Sequence, residues 1–271
     1  MPLLACMLAA AACARGDDPS ANGPAAGGAA QASHGGDGFP ALYVDRVLEN
    51  LTDGRNAQRD GYRKRLEECM AAGLPTRALE PSEEELVGTE RWQVWRAQDR
   101  VALRTEAFMV ATPGEVPTRD TMCRFELQRG GTHAYVDAER SISIDLGTGE
   151  RFEDYGDPGI RLERTGTGGP GMVDGGEGMQ GPRRTSVLGQ PCNEWTSANG
   201  ATACVWAGGT EWGFGAGMNG PFFLTDGISD SFIVLTAEPP PQGSGTRVLT
   251  RSIEVGGSLD PGDLLPAPGG D

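Results

Sequence analysis

Between Cys123 and Leu146 the chain alternates apolar and polar residues with a period of two. Cys123, Phe125 and Leu127 fall on one side, and Arg124, Glu126 and Gln128 on the other, which is the pattern of a half-buried strand. Gly130-Gly131 reads as a hairpin turn into residues 132–137. Ile142, Ile144 and Leu146 repeat the alternation up to a Gly147-Thr148-Gly149 turn. Upstream, Trp92, Val94 and Arg96 alternate with Arg91, Gln93 and Trp95, then Val101, Leu103 and Thr105 with Arg100, Arg104 and Glu106, ahead of residues 108–111. Trp92 and Trp95 then look to opposite faces, which makes at least one of them a candidate surface aromatic. Residues 221–225, 231–238 and 246–255 extend the sheet, with Pro239-Pro240-Pro241 and Gly243 forcing the last connection.

Helical spacing is confined to the region before these strands. Leu42, Val47, Leu48 and Leu51 recur at near-helical intervals, and after a break at Thr52-Asp53-Gly54 a second stripe follows in Tyr62, Leu66, Cys69 and Met70. Arg63, Lys64, Arg65, Glu67 and Glu68 make its solvated side, and Gly73 and Pro75 stop it. Ser82 stands three before Glu85, a capping-box spacing for one short helical turn. The pattern predicts an α+β fold, with N-terminal helices packed on a curved, mainly antiparallel sheet.

Residues 192–214, CNEWTSANGATACVWAGGTEWGF, concentrate Trp195, Trp206 and Trp212 beside Cys192 and Cys204. A two-residue Asn199-Gly200 hairpin sets Trp195 against Cys204 and Cys192 against Ala207, on opposite faces, where the cysteines cannot bond. The alternatives are a larger loop centred near Ala198, a bulge, or another partner for Cys192. The cysteine pair is kept and the tight turn given up. Gly208-Gly209 reads as a second turn, returning the chain so that Val205 faces Trp212 and Cys204 faces Gly213.

Composition places the body between two low-complexity stretches. Residues 14–38 and 156–182 are dominated by Gly, Ala, Pro and polar residues, so the first reads as a flexible tether and the second as a long loop. The partition is 1–12 signal peptide, 13–38 tether, 39–256 a single domain, and 257–271 an extended, poorly packed tail. The net charge is −15, with no charged residue before Arg15. Such a surface repels phosphate backbones, so no nucleic acid is expected as a partner.

MPLLACMLAAAAC is too short to span a bilayer and has the form of an export signal. Ala10-Ala11-Ala12-Cys13 resembles the lipobox of bacterial lipoproteins, with Ala10 where that family usually has Leu and no basic residue ahead of the run. The resemblance implies acylation of Cys13, with palmitate among its chains, and membrane attachment through that anchor. Ala14 following the cysteine implies the periplasm-facing outer membrane. Cys69, Cys123, Cys192 and Cys204 then remain in the body, and four cysteines allow three pairings. Cys69 inward from a helix and Cys123 inward from a strand would staple helix to sheet, which leaves Cys192 with Cys204 and fits an oxidising compartment.

Few side chains point to catalysis. The histidines are His34, in the tether, and His133, expected as a surface or edge residue; no GxSxG elbow occurs. Once the cysteines are bridged no metal-ligand set remains, and neither metal nor cofactor is expected. Asp226 to Asp230 reads as an Asp-Gly turn and not a calcium loop. The glycines at 166–169 lack the strand, helix and Lys-Ser/Thr pair of a phosphate loop. A helix followed by many antiparallel strands resembles, in topology alone, the half-barrel of lipoprotein carriers such as LolA and LolB. It implies a non-enzymatic envelope lipoprotein that binds an apolar ligand or an envelope protein partner, with Trp195, Trp206 and Trp212 as candidate ligand-facing aromatics. The competing expectation is a secreted carboxylate-dependent hydrolase.

Overall fold

A computed structural model describes residues 38–111, 123–156, 179–212, 233–259 and 261–265. Cys13, His34, residues 221–225, the Asp226 to Asp230 turn and nearly all of the 156–182 loop lie outside them. Residues Ser33–Asp271 form one compact unit. Its strands are β1 (Leu42–Leu51), β2 (Thr76–Arg77), β3 (Thr89–Arg96), β4 (Val101–Val110), β5 (Cys123–Arg124), β6 (Leu127–Val136), β7 (Arg140–Asp145), β8 (Arg151–Tyr155), β9 (Gln180–Val187), β10 (Gln190–Thr196), β11 (Thr202–Trp206), β12 (Val234–Glu238) and β13 (Gly245–Val255). Eleven of them make one open sheet in the order β8-β7-β6-β4-β3-β1-β13-β12-β11-β10-β9. Every pairing in it is antiparallel. The mainly antiparallel sheet of the sequence reading is therefore present.

The first predicted helix is absent: Leu42–Leu51 is β1, the central strand. Its alternation was hidden by Arg46, which sits among Leu42, Val44 and Leu48 on the apolar face at only 1% exposure. A buried arginine breaks the period of two and leaves the apolar residues at intervals that mimic a helix. Arg46 is accommodated there because its Nη1 donates to the Val234 carbonyl at 3.2 Å and its guanidinium lies 5.7 Å from the Trp92 ring centroid.

The second stripe is α1 (Ala57–Ala71), which starts where Asn56 caps it. The Asn56 Oδ1 accepts from Gln58 and Arg59 N–H at 3.1 and 3.0 Å, satisfying two of the orphan donors of the first turn. Its amide donates to Glu49 and to the Val87 carbonyl, both at 2.9 Å, which ties helix to sheet. Tyr62 is fully buried and packs edge-on to Phe125; Leu66 and Cys69 join it. Met70, expected on the buried stripe, is 64% exposed. The short helix α2 (Pro81–Leu86) is present, but its capping pair is Glu80 with Glu83 and not Ser82 with Glu85. Pro81 at the first helical position moves the start two residues earlier than Ser82 implies.

Gly130-Gly131 is not a turn. Strand β6 runs straight through it, with Gly131 opposite Glu106 of β4. A glycine is needed there because a Cβ on residue 131 would lie 2.0 Å from the Thr105 carbonyl oxygen, at φ +147°. Nor is Cys123 on the strand that carries Leu127: β5 pairs in parallel with β2 in a separate two-stranded sheet.

The β10–β11 hairpin resolves the cysteine conflict through its register. Thr196 pairs with Thr202 and Cys192 with Trp206, so the loop is larger than Asn199-Gly200 and centred on Asn199. That is one residue away from the tight turn, and a one-residue slip moves every side chain to the other face. Cys192 and Cys204 are now diagonal neighbours on one face, bridged with Cα atoms 5.7 Å apart. Cys69 and Cys123 form the second bridge, with Cα atoms 6.3 Å apart. The two close segments of 12 and 54 residues. By loop-closure entropy the longer should stabilise by about 1 kcal/mol more than the shorter. Denaturant midpoints of the Cys69→Ala/Cys123→Ala and Cys192→Ala/Cys204→Ala double variants test this ordering.

After β11 the chain does not return as a hairpin at Gly208-Gly209. Residues Ala207–Trp212 form a 3-10 turn, and the neighbour of β11 is β12. The glycines let the turn fold onto the Trp206 indole, since a Cβ on residue 208 would come within 2.5 Å of it. The C-terminal segment also departs from expectation. Residues Pro261–Leu264 form a short helix, and Leu264, 3% exposed, packs with Trp95, Ala102, Tyr135 and Ile142.

Candidate functional site

Register assigns the sheet two chemically different faces. One carries Leu42, Val44, Leu48, Val94, Val101, Leu103 and Val136 and is core. The other carries Tyr43, Asp45 and Val47 of β1, Arg91, Gln93 and Trp95 of β3, Arg104 and Glu106 of β4, and Arg129, His133 and Tyr135 of β6. This mixed face holds the candidate site, whose side chains are contributed by the four neighbouring strands β1, β3, β4 and β6.

The tryptophans singled out from sequence lie elsewhere. Trp206 and Trp212, 1% and 5% exposed, pack with Phe39, Leu42, Val44 and the Cys192–Cys204 bridge. Trp195, 8% exposed, points to the opposite side of the hairpin among Leu48, Ala203, Val205 and Val248. All three are scaffold, because a hairpin buried on both faces draws its largest side chains inward. Of the pair read as opposed, Trp95 is buried and Trp92 half-buried, so neither is a surface aromatic.

At one end of the mixed face the aromatics form a row. Tyr43 and Trp95 have ring centroids 5.2 Å apart, and His133 stacks on the far side of Trp95 at 5.9 Å and 30°. His133 is 7% exposed on a strand flanked by β4 and β7, neither surface nor edge. Gln93 Nε2 donates to the Tyr43 hydroxyl at 2.8 Å, fixing both. Above Tyr43, Gln93 and Trp95 opens a groove of about 270 Å³, bounded by Ala41, Glu254 and the segment Gly257, Ser258 and Leu259.

The other end is charged. Arg91 donates from Nε and Nη2 to both Asp45 carboxylate oxygens, at 3.0 and 2.8 Å, a fork that raises the Arg91 pKa further above its ordinary value. Glu106, its side chain 3% exposed, accepts from Arg104 at 2.9 Å and from Arg129. Burial pushes the Glu106 carboxyl up, but the two arginines outweigh it and hold the group below the usual carboxylate value. A second cleft of about 240 Å³ lies here, lined by Val47, Leu86, Thr89, Arg91, Glu106, Phe108, Arg129 and Arg251. Tyr43 and Val47 are four residues apart on β1, so the two openings are roughly 13 Å from each other along the strand.

Among the described residues no group of three His, Cys, Asp or Glu could hold a metal ion, and no helix is long and apolar enough to cross a membrane. No family model matches the chain, and no curated protein matches it. Sequence reasoning missed Tyr43, Arg91, Gln93, Glu106, Arg129 and Arg251 as a group. The signal that could have found them is the row of charged and aromatic residues at alternate positions of β3 and β4.

Proposed function

We propose that the chain is a non-enzymatic cell-envelope lipoprotein, attached to the outer membrane through acylated Cys13, that binds an extended apolar ligand on the mixed face of its sheet. The observation that carries this reading is the aromatic groove: Tyr43 and Trp95, with ring centroids 5.2 Å apart and planes inclined by 34°, lie at the base of an opening of about 270 Å³ whose rim includes Glu254 and Ser258. The two disulfides support residence in an oxidising compartment. In this reading the open sheet is the wall of a half-barrel like that of the lipoprotein carriers. The hydrolase alternative is weaker, because a general acid needs a raised carboxyl pKa and Glu106, the carboxylate most enclosed by the cleft, is held low.

Two measurements on the full chain expressed in a Gram-negative host test the reading. Intact mass of the mature protein should give an acylated Cys13 as first residue, and Cys13→Ala should move the protein to the soluble fraction; an unmodified N-terminus overturns the lipoprotein assignment. Titration of the mature protein with dodecanol should show saturable binding that Trp95→Ala weakens about tenfold, the loss expected for one large buried aromatic contact. Absence of binding overturns the ligand assignment.

A further inference from the structure

The cleft at the charged end departs from the charge balance of the rest of the molecule. The chain carries a net −15, yet three arginines, Arg91, Arg129 and Arg251, line this opening against the single carboxylate of Glu106. Two of them are held in place by carboxylates that leave donors over. Arg91 gives Nε and Nη2 to Asp45, and a guanidinium has five N–H groups, so its Nη1 has no acceptor among the described residues. Arg129 is held through Nη2 by Glu106, which is itself fixed by Arg104. The third has no carboxylate partner among the described residues: Arg251 is exposed and its side chain makes no hydrogen bond or ion pair with them.

Its position is set by a bulge. Pairing of β1 with β13 passes from Asp45↔Ser252 to Arg46↔Thr250, which leaves Arg251 as the extra residue. A bulge re-aims one side chain out of the regular alternation, and here it brings an arginine to the cleft that Arg91 and Arg129 line. With Arg91 paired to Asp45 and Arg129 to Glu106, Arg251 adds a positive charge at this cleft for which the described residues supply no carboxylate, and an anion entering the cleft would be attracted by it.

We propose that this cleft is an anion-binding site for the phosphate or carboxylate head of an amphiphile whose apolar part lies on Tyr43 and Trp95, an inference that rests on the binding function proposed above. The head accepts from Arg251, Arg129 and the outer side of Arg91, Glu106 acts by orienting Arg129, and about 240 Å³ of space accommodates the head with its first carbons.

Calorimetric titrations of the mature full-length protein with dodecyl phosphate, dodecanoate, dodecanol and inorganic phosphate separate the two readings and the two head chemistries. Dodecyl phosphate or dodecanoate should bind at least about tenfold more tightly than dodecanol, as loss or gain of one charge-assisted hydrogen bond dictates, and the advantage should shrink as salt is raised. Arg251→Ala, at an exposed position whose side chain has no partner among the described residues, should leave the circular dichroism spectrum unchanged and remove most of the advantage of the charged ligands over dodecanol; Arg251→Lys should retain part of the advantage. Equal affinities of charged and uncharged ligands, or indifference to Arg251→Ala, overturn the anion site while dodecanol binding upholds the aromatic groove. Binding of inorganic phosphate that depends on Arg251, without binding of dodecanol, upholds the anion site and overturns the apolar groove. Absence of binding by all four overturns both.

Discussion

Gly131→Ala is expected to destabilise the protein by about 3 kcal/mol, the upper end of the overpacking range, because the backbone itself must absorb the clash. The added methyl would meet the carbonyl oxygen of Thr105 at 2.0 Å, its carbon at 2.8 Å and the Cα of Glu106 at 3.0 Å. None of these is the end of a flexible side chain, so β4 and β6 must separate. The strain falls at the middle of the pairing that presents Glu106 and Arg129. Urea unfolding of the variant should show the lowered midpoint, and dodecyl phosphate should bind more weakly even where the fold survives. The neighbouring Gly130→Ala is the control, since a Cβ there meets nothing within 4 Å; its effect should stay below about 1 kcal/mol. Equal midpoints for the two variants would refute the account.

Trp206→Ala should cost about 3 to 5 kcal/mol. The indole is 1% exposed, meets Phe39 edge-on at 6.3 Å, and is covered by Gly208 at contact distance. Neighbours on three sides, one of them the Cys192–Cys204 bridge, prevent collapse into the space left behind. In a body of this size the loss corresponds to a fall in Tm of roughly 10 °C, measurable by scanning calorimetry. Trp95→Ala should lower Tm less, because Trp95 faces a groove on one side. A smaller loss for Trp206 than for Trp95 would reverse the assignment of scaffold and site.

Where a strand separates clean chemistries the sequence displayed it, as in β4, where Val101 and Leu103 oppose Arg104 and Glu106, and in β7, where Ile142 and Ile144 share a side. Reading failed where a residue crossed to the wrong side for a tertiary reason. Arg46 is buried because Val234, 188 residues away, offers a carbonyl. Met70 is exposed although the helical stripe reached it. Gly131 looked like a turn and is instead a place where two backbones come close. The cysteine pairs were legible from location, but the hairpin register that lets Cys192 reach Cys204 was not, because one residue of loop length decides it. The site was least legible: its arginines come from β3, β6 and β13, and only the sheet order brings them together. The bulge that redirects Arg251 has no local signature at all.

The place of β1 has a consequence for how the molecule comes into being. It pairs on one side with β3, some 45 residues ahead in the chain, and on the other with β13, about 200 residues away, near the other end. The block β8-β7-β6-β4-β3-β1 consists of pairings that an emerging chain can make in order, while the open side of β1 waits for β13, about 200 residues later. Loop closure over such a span is the slow event in forming a sheet. A partly emerged chain therefore exposes β1, Leu42–Leu51, along one unpaired edge, the condition in which nascent sheets join the wrong neighbour. Arrival of β13, and not collapse of the first half, is what closes this edge against pairing with another copy.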